Sequence, residues 1–260
     1  MVILITGASG ILGAVFAESF ARLGGSLVLM DLEEKSILQL KNKITTLYKV
    51  EVIALGCDIT KEVEIEMAFN TAIEKFGKID ILINNAATKT DKISDFFKKF
   101  EEYSCDVWEK VMSVNVNGAF LMAKIVGRHM VKRGQGVIIQ IASVYGLQGV
   151  DKKIYKGSSY MGLEINTPAV YSTSKSALIG LTKYLAAYWG GHGIRVNCVA
   201  PGGVESGQNN TFKEKYSEKV PMNRMANSSE IADAVLFLAG QKSSYINGHT
   251  LVVDGGFTIW

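Results

Sequence analysis

The sequence predicts an α/β protein: a single doubly wound parallel sheet of seven strands with helices on both faces. Three observations carry that prediction. Short apolar runs alternate with segments of helical apolar spacing along all 260 residues, the pattern of repeated βαβ units. The runs are apolar throughout, as strands buried on both faces are. No repeat, linker or low-complexity tract divides the chain, so residues 1–260 read as one domain.

The elements follow in order. Residues 2–5 form the first strand and lead into Thr6-Gly7-Ala8-Ser9-Gly10-Ile11-Leu12-Gly13. A helical pattern then runs through Val15, Phe16, Phe20 and Leu23. Glycines between a strand and a helix let the backbone approach a pyrophosphate, and the helix N-terminus offers free N–H groups. The alternative is an ordinary tight turn. Residues 26–30 form the second strand, ending at Asp31. A carboxylate here suits an adenosine 2′-hydroxyl and repels a 2′-phosphate, which favours NAD over NADP. The alternative is a solvated turn aspartate.

The third strand, 52–55, precedes Gly56-Cys57-Asp58-Ile59-Thr60. Thr60 is placed to cap a helix from near Lys61, and Asp58 could serve the same turn. The fourth strand, 79–83, ends in Asn84-Asn85-Ala86-Ala87, which suits a ligand crevice or a plain turn. Residues 89–102 read as a polar loop and 106–132 as one long helix containing Asn115. That Asn is either an exposed helical residue or has a buried task. The fifth strand, 137–141, leads to Ser143 at its carboxyl end. A loop-like insert covers 147–168, and a helix runs from 170 to 189. The sixth strand, 194–200, ends in the Pro201-Gly202-Gly203-Val204 turn. Residues 205–222 look polar and mobile, a lid. Ser228-Ser229-Glu230 opens the last helix, and 250–253 form the seventh strand.

Composition sets outer limits. Apolar residues make up 48% and the net charge is +3, with no basic stripe, so nucleic acid is not an implied partner. No apolar run approaches the length of a membrane span. Cys57, Cys105 and Cys198 are odd in number and widely spaced. They fit a reducing compartment and give no metal-ligand spacing, so no metal is expected. The apolar N-terminus lacks a basic leader, and the expected location is cytoplasmic.

One pair carries chemistry. Tyr171 and Lys175 are four apart on a helix, which stacks them on one face. A free phenol ionises near ~10, too high for a base at neutral pH. A neighbouring ammonium favours phenolate and lowers that value. The phenol can then exchange a proton with an alcohol or carbonyl oxygen. Without other support, a surface Tyr and a surface Lys on an amphipathic helix explain the spacing better.

With these residues in place, the chain resembles the short-chain dehydrogenases/reductases, which have a Rossmann-type fold, over nearly its whole length. The matching elements are Thr6-Gly7 to Gly13, Asp31, Asp58, Asn84-Asn85-Ala86, Asn115, Ser143, Tyr171 with Lys175, and Pro201-Gly202. The resemblance implies a catalytic set of Asn115, Ser143, Tyr171 and Lys175, with Asn115 holding a water that links Lys175 to solvent. It also implies NAD contacts from Gly7, Ser9, Gly10, Ile11, Leu12, Gly13, Asp31, Asp58, Ile59, Asn85, Ala86, Ala87, Tyr171, Lys175, Pro201, Gly202 and Val204. There are departures. Ile11 stands in the usual second glycine position, and Ala87 where Gly is usual. Ser143 and Tyr171 are separated by about twice the usual distance, and the Thr that commonly follows Pro-Gly is missing.

The long insert, the 201–203 turn, the 223–227 segment and the 257–260 ending resemble bacterial oxidoreductases of flagellin modification and surface-sugar synthesis. That implies a sugar phosphate or nucleotide sugar as substrate. The inserts at 88–105, 147–168 and 203–222 follow three strand ends and are expected to converge over the site. Their Lys89, Lys92, Lys152, Lys153, Lys156, Tyr155, Tyr160, Gln208, Asn209 and Asn210 suit an anionic sugar. Two rivals stand: a generic carbonyl reductase of 3-oxoacyl or polyol type, and a non-catalytic dinucleotide sensor. Apolar residues beyond one covering face, such as Val111, Val114, Phe120, Leu121, Val126 and Trp189, together with the resemblance, lead us to expect a homotetramer or homodimer.

Overall fold

The computed structural model describes residues 1–90 and 92–260; Asp91, in the first insert, lies outside them. Seven strands form one parallel sheet: β1 Val2–Thr6, β2 Ser26–Asp31, β3 Val52–Gly56, β4 Ile81–Asn84, β5 Gly136–Ile141, β8 Ile194–Pro201 and β9 Thr250–Val253. Their spatial order is β3-β2-β1-β4-β5-β8-β9. The order reverses between β1 and β4, so a crevice opens there beyond the strands' carboxyl ends. A separate hairpin pairs β6 Ser159–Tyr160 with β7 Leu163–Glu164. Its two turn residues, Met161 and Gly162, both have positive φ, as a tight hairpin turn requires.

The helices are α1 Ile11–Arg22, α2 Glu34–Tyr48, α3 Glu62–Phe76, α4 Ile93–Phe96, α5 Cys105–Met112, α6 Ala119–Arg133, α7 Ala169–Trp189, α8 Asn210–Ser217 and α9 Ser228–Ala239. Successive strand side chains point to opposite faces, and β1 shows the result. Ile3 and Ile5 pack with Phe16 and Phe20 of α1, Ile37 of α2 and Val235 of α9. Val2 and Leu4 pack on the other face with Ile65 of α3, Met122 and Val126 of α6 and Leu185 of α7. Double burial is why the strands are apolar throughout.

Four sequence expectations are corrected. The long helix over 106–132 is two helices, α5 and α6, joined by a π-helical turn, Ser113–Gly118, which holds Asn115. Gly118 sits against Ile59 there, where a Cβ would meet the Ile59 side chain at 2.6 Å. Thr60 does not cap α3: its N–H and hydroxyl both bond Asp58 Oδ1, at 3.0 and 2.7 Å. The 147–168 insert is not a loose loop. It contains a 3-10 turn, Lys152–Tyr155, and the β6–β7 hairpin, and it buries Ile154, Tyr155 and Ile165. The polar lid over 205–222 contains α8, whose Phe212 and Tyr216 are buried with the insert in a third hydrophobic cluster. Phe257 closes that cluster, its ring stacked on Tyr216 at 4.7 Å.

The turn after β5 is seated directly on α7. Ser176 Oγ donates to the Gly146 carbonyl at 2.8 Å. A Cβ at Gly146 would meet the Lys175 carbonyl carbon at 2.8 Å, and that is helix backbone, which cannot yield as a side chain does. Gly146→Ala is expected to lower stability by about 1–3 kcal/mol, the usual range for overpacking. Urea unfolding measures this, and a wild-type midpoint would show that the turn is free to move.

Candidate active site

A cleft of about 940 Å³ lies at the carboxyl ends of the strands. One end is built on the first strand–helix turn. Gly7 has φ +61°, and a Cβ on it would lie 2.7 Å from Ala86 Cα. Gly13 packs the start of α1 on the turn, where a Cβ would lie 2.2 Å from the Gly7 carbonyl oxygen. Both positions therefore demand glycine. Gly10 precedes α1 with ordinary extended backbone, so the shifted second glycine leaves the turn intact. No side chain caps α1 and no acidic residue occupies its first turn, which leaves that helix end electropositive.

Asp31, at the end of β2, faces this turn. Its Oδ2 accepts from the Ser9 N–H at 2.9 Å and the Ser9 hydroxyl at 2.6 Å, and its Oδ1 accepts from the Leu32 N–H at 2.8 Å. Each carboxylate oxygen has two lone pairs, so Oδ1 keeps acceptor capacity for a ligand hydroxyl. Asp58 and Ile59 line the same end. Burial pushes the Asp58 carboxyl up, but the two Thr60 bonds and Lys61 outweigh it and hold it below its ordinary value. Asn85 does not present its amide to the cleft as a free group. Its Nδ2 donates to the carbonyls of Thr6 and Gly7, at 3.1 and 2.9 Å, and so fixes the glycine turn.

The other end gathers Ser143, Tyr171 and Lys175, with Pro201, Gly202 and Val204 beside them. Lys175 is buried, and its Nζ donates to the Ile141 carbonyl at 2.8 Å and lies 5.8 Å from the Tyr171 ring centre. Burial pushes its ammonium down to about 8. For Tyr171 the balance in the free protein opposes the sequence expectation. Burial raises its pKa, and the compensating influence is a hydrogen bond with the Ser143 side chain, not the Lys175 charge.

Asn115 lies outside the cleft wall. Its Oδ1 accepts from the Thr88 N–H at 2.9 Å and its Nδ2 donates to Ser174 Oγ at 3.1 Å. The amide thus ties the loop after β4 to the helix that carries Tyr171 and Lys175.

Of the residues expected in the site, all but Gly13 and Asn115 line the cleft. Sequence reading missed most of the wall around Tyr171: Phe96, Phe97, Ile165, Phe212 and Tyr216. The only sequence signal was aromatic residues inside otherwise polar inserts. The insert lysines are a correction. Lys92, Lys152, Lys153 and Lys156 are exposed and none lines the cleft, whereas Lys89 and Lys110 do. Lys89 Nζ lies 4.4 Å from the Tyr160 ring centre. Gln208 reaches the wall, but its amide is spent on Val204 and Ser206. No helix among the described residues is long and apolar enough to cross a membrane, and no cluster there could hold a metal ion.

Known proteins resemble this chain along nearly its whole length. The family model described as enoyl-(acyl carrier protein) reductase matches residues 7–258. The 2-(R)-hydroxypropyl-CoM dehydrogenase of Xanthobacter autotrophicus is 32% identical, over 99% of this chain and 98% of its own length. The NAD-dependent glycerol dehydrogenase of Listeria innocua is 31% identical, over 99% of this chain and 94% of its own. The crystal structure of a short-chain dehydrogenase from Leptospira borgpetersenii with bound NAD+ superposes with a TM-score of 0.85 at 34% identity, covering 99% of this chain and 92% of the other. With the family model spanning almost the whole chain and relatives above 30% identity matched end to end, this protein belongs to the short-chain dehydrogenase/reductase family.

Proposed function

We propose that the protein is an NAD(H)-dependent oxidoreductase that interconverts a secondary alcohol and its ketone on a compact, polyol-type substrate. One observation carries this reading: the electropositive glycine turn with Asp31 and the Ser143–Tyr171–Lys175 group face the same cleft from its two ends. The residues fit a dinucleotide. The start of α1 is open for a pyrophosphate, Asp31 Oδ1 has capacity for a ribose hydroxyl, and Pro201, Gly202 and Val204 line the wall beside Tyr171. Bound NAD would supply a hydride acceptor or donor, and its oxidised ring adds positive charge near Tyr171.

The chain's own groups handle the proton. Tyr171 takes it from the alcohol in oxidation and returns it to the ketone in reduction. Ser143 donates to the substrate oxygen as charge develops there. Lys175, held by the Ile141 carbonyl, supplies a fixed charge that favours phenolate when it is protonated. Asn115 acts at one remove, by holding α7 through Ser174. A dinucleotide sensor would have no use for Ser143, Tyr171 and Lys175 together.

The cleft must hold cofactor and substrate together, which favours a compact substrate over a nucleotide-linked sugar. The anionic-sugar reading rested on insert lysines, tyrosines and amides; Lys89, Tyr160 and Gln208 line the cleft, whereas Lys152, Lys153 and Lys156 lie outside it. The similarity to a glycerol dehydrogenase supports the polyol-type alternative. Lys89, inside the cleft and stacked on Tyr160, leaves room for a substrate with one anionic group.

We also read the α6–α7 face as the contact between copies. Val111 and Val126 are fully buried within their own chain, and Trp189 keeps only an edge at the surface of this face. Phe120, Tyr184 and Tyr188 are exposed instead, the two tyrosines stacked at 5.8 Å along α7. They border a hollow of about 450 Å³ on this face.

Three outcomes are expected. Wild type should use NAD(H) with higher kcat/KM than NADP(H), and Asp31→Ala should narrow that preference and raise the KM for NAD by freeing Ser9; equal efficiency in wild type counts against Asp31. Tyr171→Phe should slow turnover by about 10²–10⁴, the range for loss of a general acid–base group, with little change in cofactor affinity. Near-normal turnover would remove Tyr171 from the mechanism. Light scattering should find a dimer or tetramer that Tyr184→Glu shifts to smaller species, and a wild-type monomer would refute the contact face.

A further inference from the structure

Tyr145 stands two residues beyond Ser143 and lines the same cleft. The two are locked in one turn, because Ser143 Oγ accepts from the Tyr145 N–H at 3.2 Å. The Tyr145 ring is held edge-on to Phe257, with centres 6.3 Å apart. Its phenol oxygen accepts a hydrogen bond from Tyr155 at 3.0 Å. Tyr155 belongs to the 147–168 insert, is buried, and does not reach the cleft. Its oxygen also lies 2.6 Å from Thr167 Oγ.

The direction of this chain follows from proton counting. A phenol has one proton, and Tyr155 gives its own to Tyr145. Thr167 is therefore the donor to Tyr155. The Tyr145 proton remains, and no acceptor among the described residues takes it. Burial and the neighbouring phenols raise the Tyr145 pKa far above its usual range, so the group stays a donor at any working pH. Phe97, Ile165 and Phe212 pack in the same cluster as Tyr145, and Asn166 and Thr167 line the cleft next to Ile165.

We infer that Tyr145 is a specificity-determining residue: it donates a hydrogen bond to a second substrate oxygen beside the reacting carbon, with Tyr155 and Thr167 as positioning residues. The selected class is vicinal diols and their hydroxy ketones, over simple secondary alcohols and ketones. This rests on the secondary-alcohol reading of the site. A substrate without the second oxygen leaves a desolvated donor unpaired, and that penalty produces the discrimination.

The test compares acetoin and butanone as substrates with NADH, and measures the binding of each to the enzyme–NADH complex by calorimetry. Wild type should favour acetoin by about tenfold or more in kcat/KM, the worth of one buried hydrogen bond. Tyr145→Phe should remove most of that preference and leave butanone within about twofold. Tyr155→Phe keeps the Tyr145 proton but loses its orientation, so the KM for acetoin should rise while kcat holds. A wild type with no acetoin preference overturns the assignment, and so does a Tyr145→Phe variant that loses both probes equally. If Tyr145→Phe does not fold, an unchanged acetoin KM in Tyr155→Phe overturns it. If wild type turns over and binds neither probe, the secondary-alcohol reading itself fails, a result distinct from turnover without discrimination.

Discussion

The site depends on a small clamp between β1 and β4, the two strands that flank the reversal in strand order. Thr6 Oγ accepts from the N–H groups of Asn85 and Ala86, both at 3.1 Å, and donates to the Ile83 carbonyl. Asn85 returns two bonds to the carbonyls of Thr6 and Gly7. These contacts draw the two halves of the sheet so close that position 7 has no room for a Cβ. The start of α1 and Asp31 are both set from this turn, the latter through Ser9. A general rule puts ligands at such reversals. Here the rule has a local cause, in one hydroxyl and one amide whose hydrogen-bonding capacity is largely used.

A second constraint fixes the reacting end. A π-helical turn adds a residue per turn to the helix it interrupts, and such turns recur at functional sites. The turn at Ser113–Gly118 buries Asn115, which would cost free energy without partners. Thr88 and Ser174 supply them. The polar group that weakens the helix therefore joins the loop after β4 to α7. On α7, burial raises the Tyr171 pKa and lowers that of Lys175, so both effects oppose the charged forms. In the free protein burial therefore keeps Tyr171 as the neutral phenol, and a positively charged ligand ring beside it would favour the phenolate.

The inserts show how tertiary packing changes the meaning of composition. Residues 147–168 and 205–222 are rich in Lys, Glu, Ser and Asn, yet each contributes aromatic side chains to a shared core. Tyr155, Phe212 and Tyr216 meet under the turn that carries Ser143 and Tyr145, and Phe257 from the chain end closes the stack. The charged residues face outward. Most of the lysines that suggested an anion site are thus the solvated surface of a small aromatic core.

What the sequence by itself determined is the periodic part. Doubly buried strands need continuous apolar runs, a strand-to-helix turn this tight needs Gly7 and Gly13, and residues four apart on a helix share a face. The seven strands, the turn, Asp31 and the Tyr171–Lys175 pair were legible for those reasons. Other features depend on contacts between segments far apart in the chain, which no local pattern encodes. Asp58 was open to two readings until Thr60 was seen to bond it. Asn115 was open until Thr88 and Ser174 were placed around it. The substrate wall joins residues from near 96, 145, 165 and 212, and its aromatic share went unread because composition averages the exposed and buried faces of each insert. Only the tertiary structure decides which side chains a segment buries, because burial depends on what the rest of the chain brings against it.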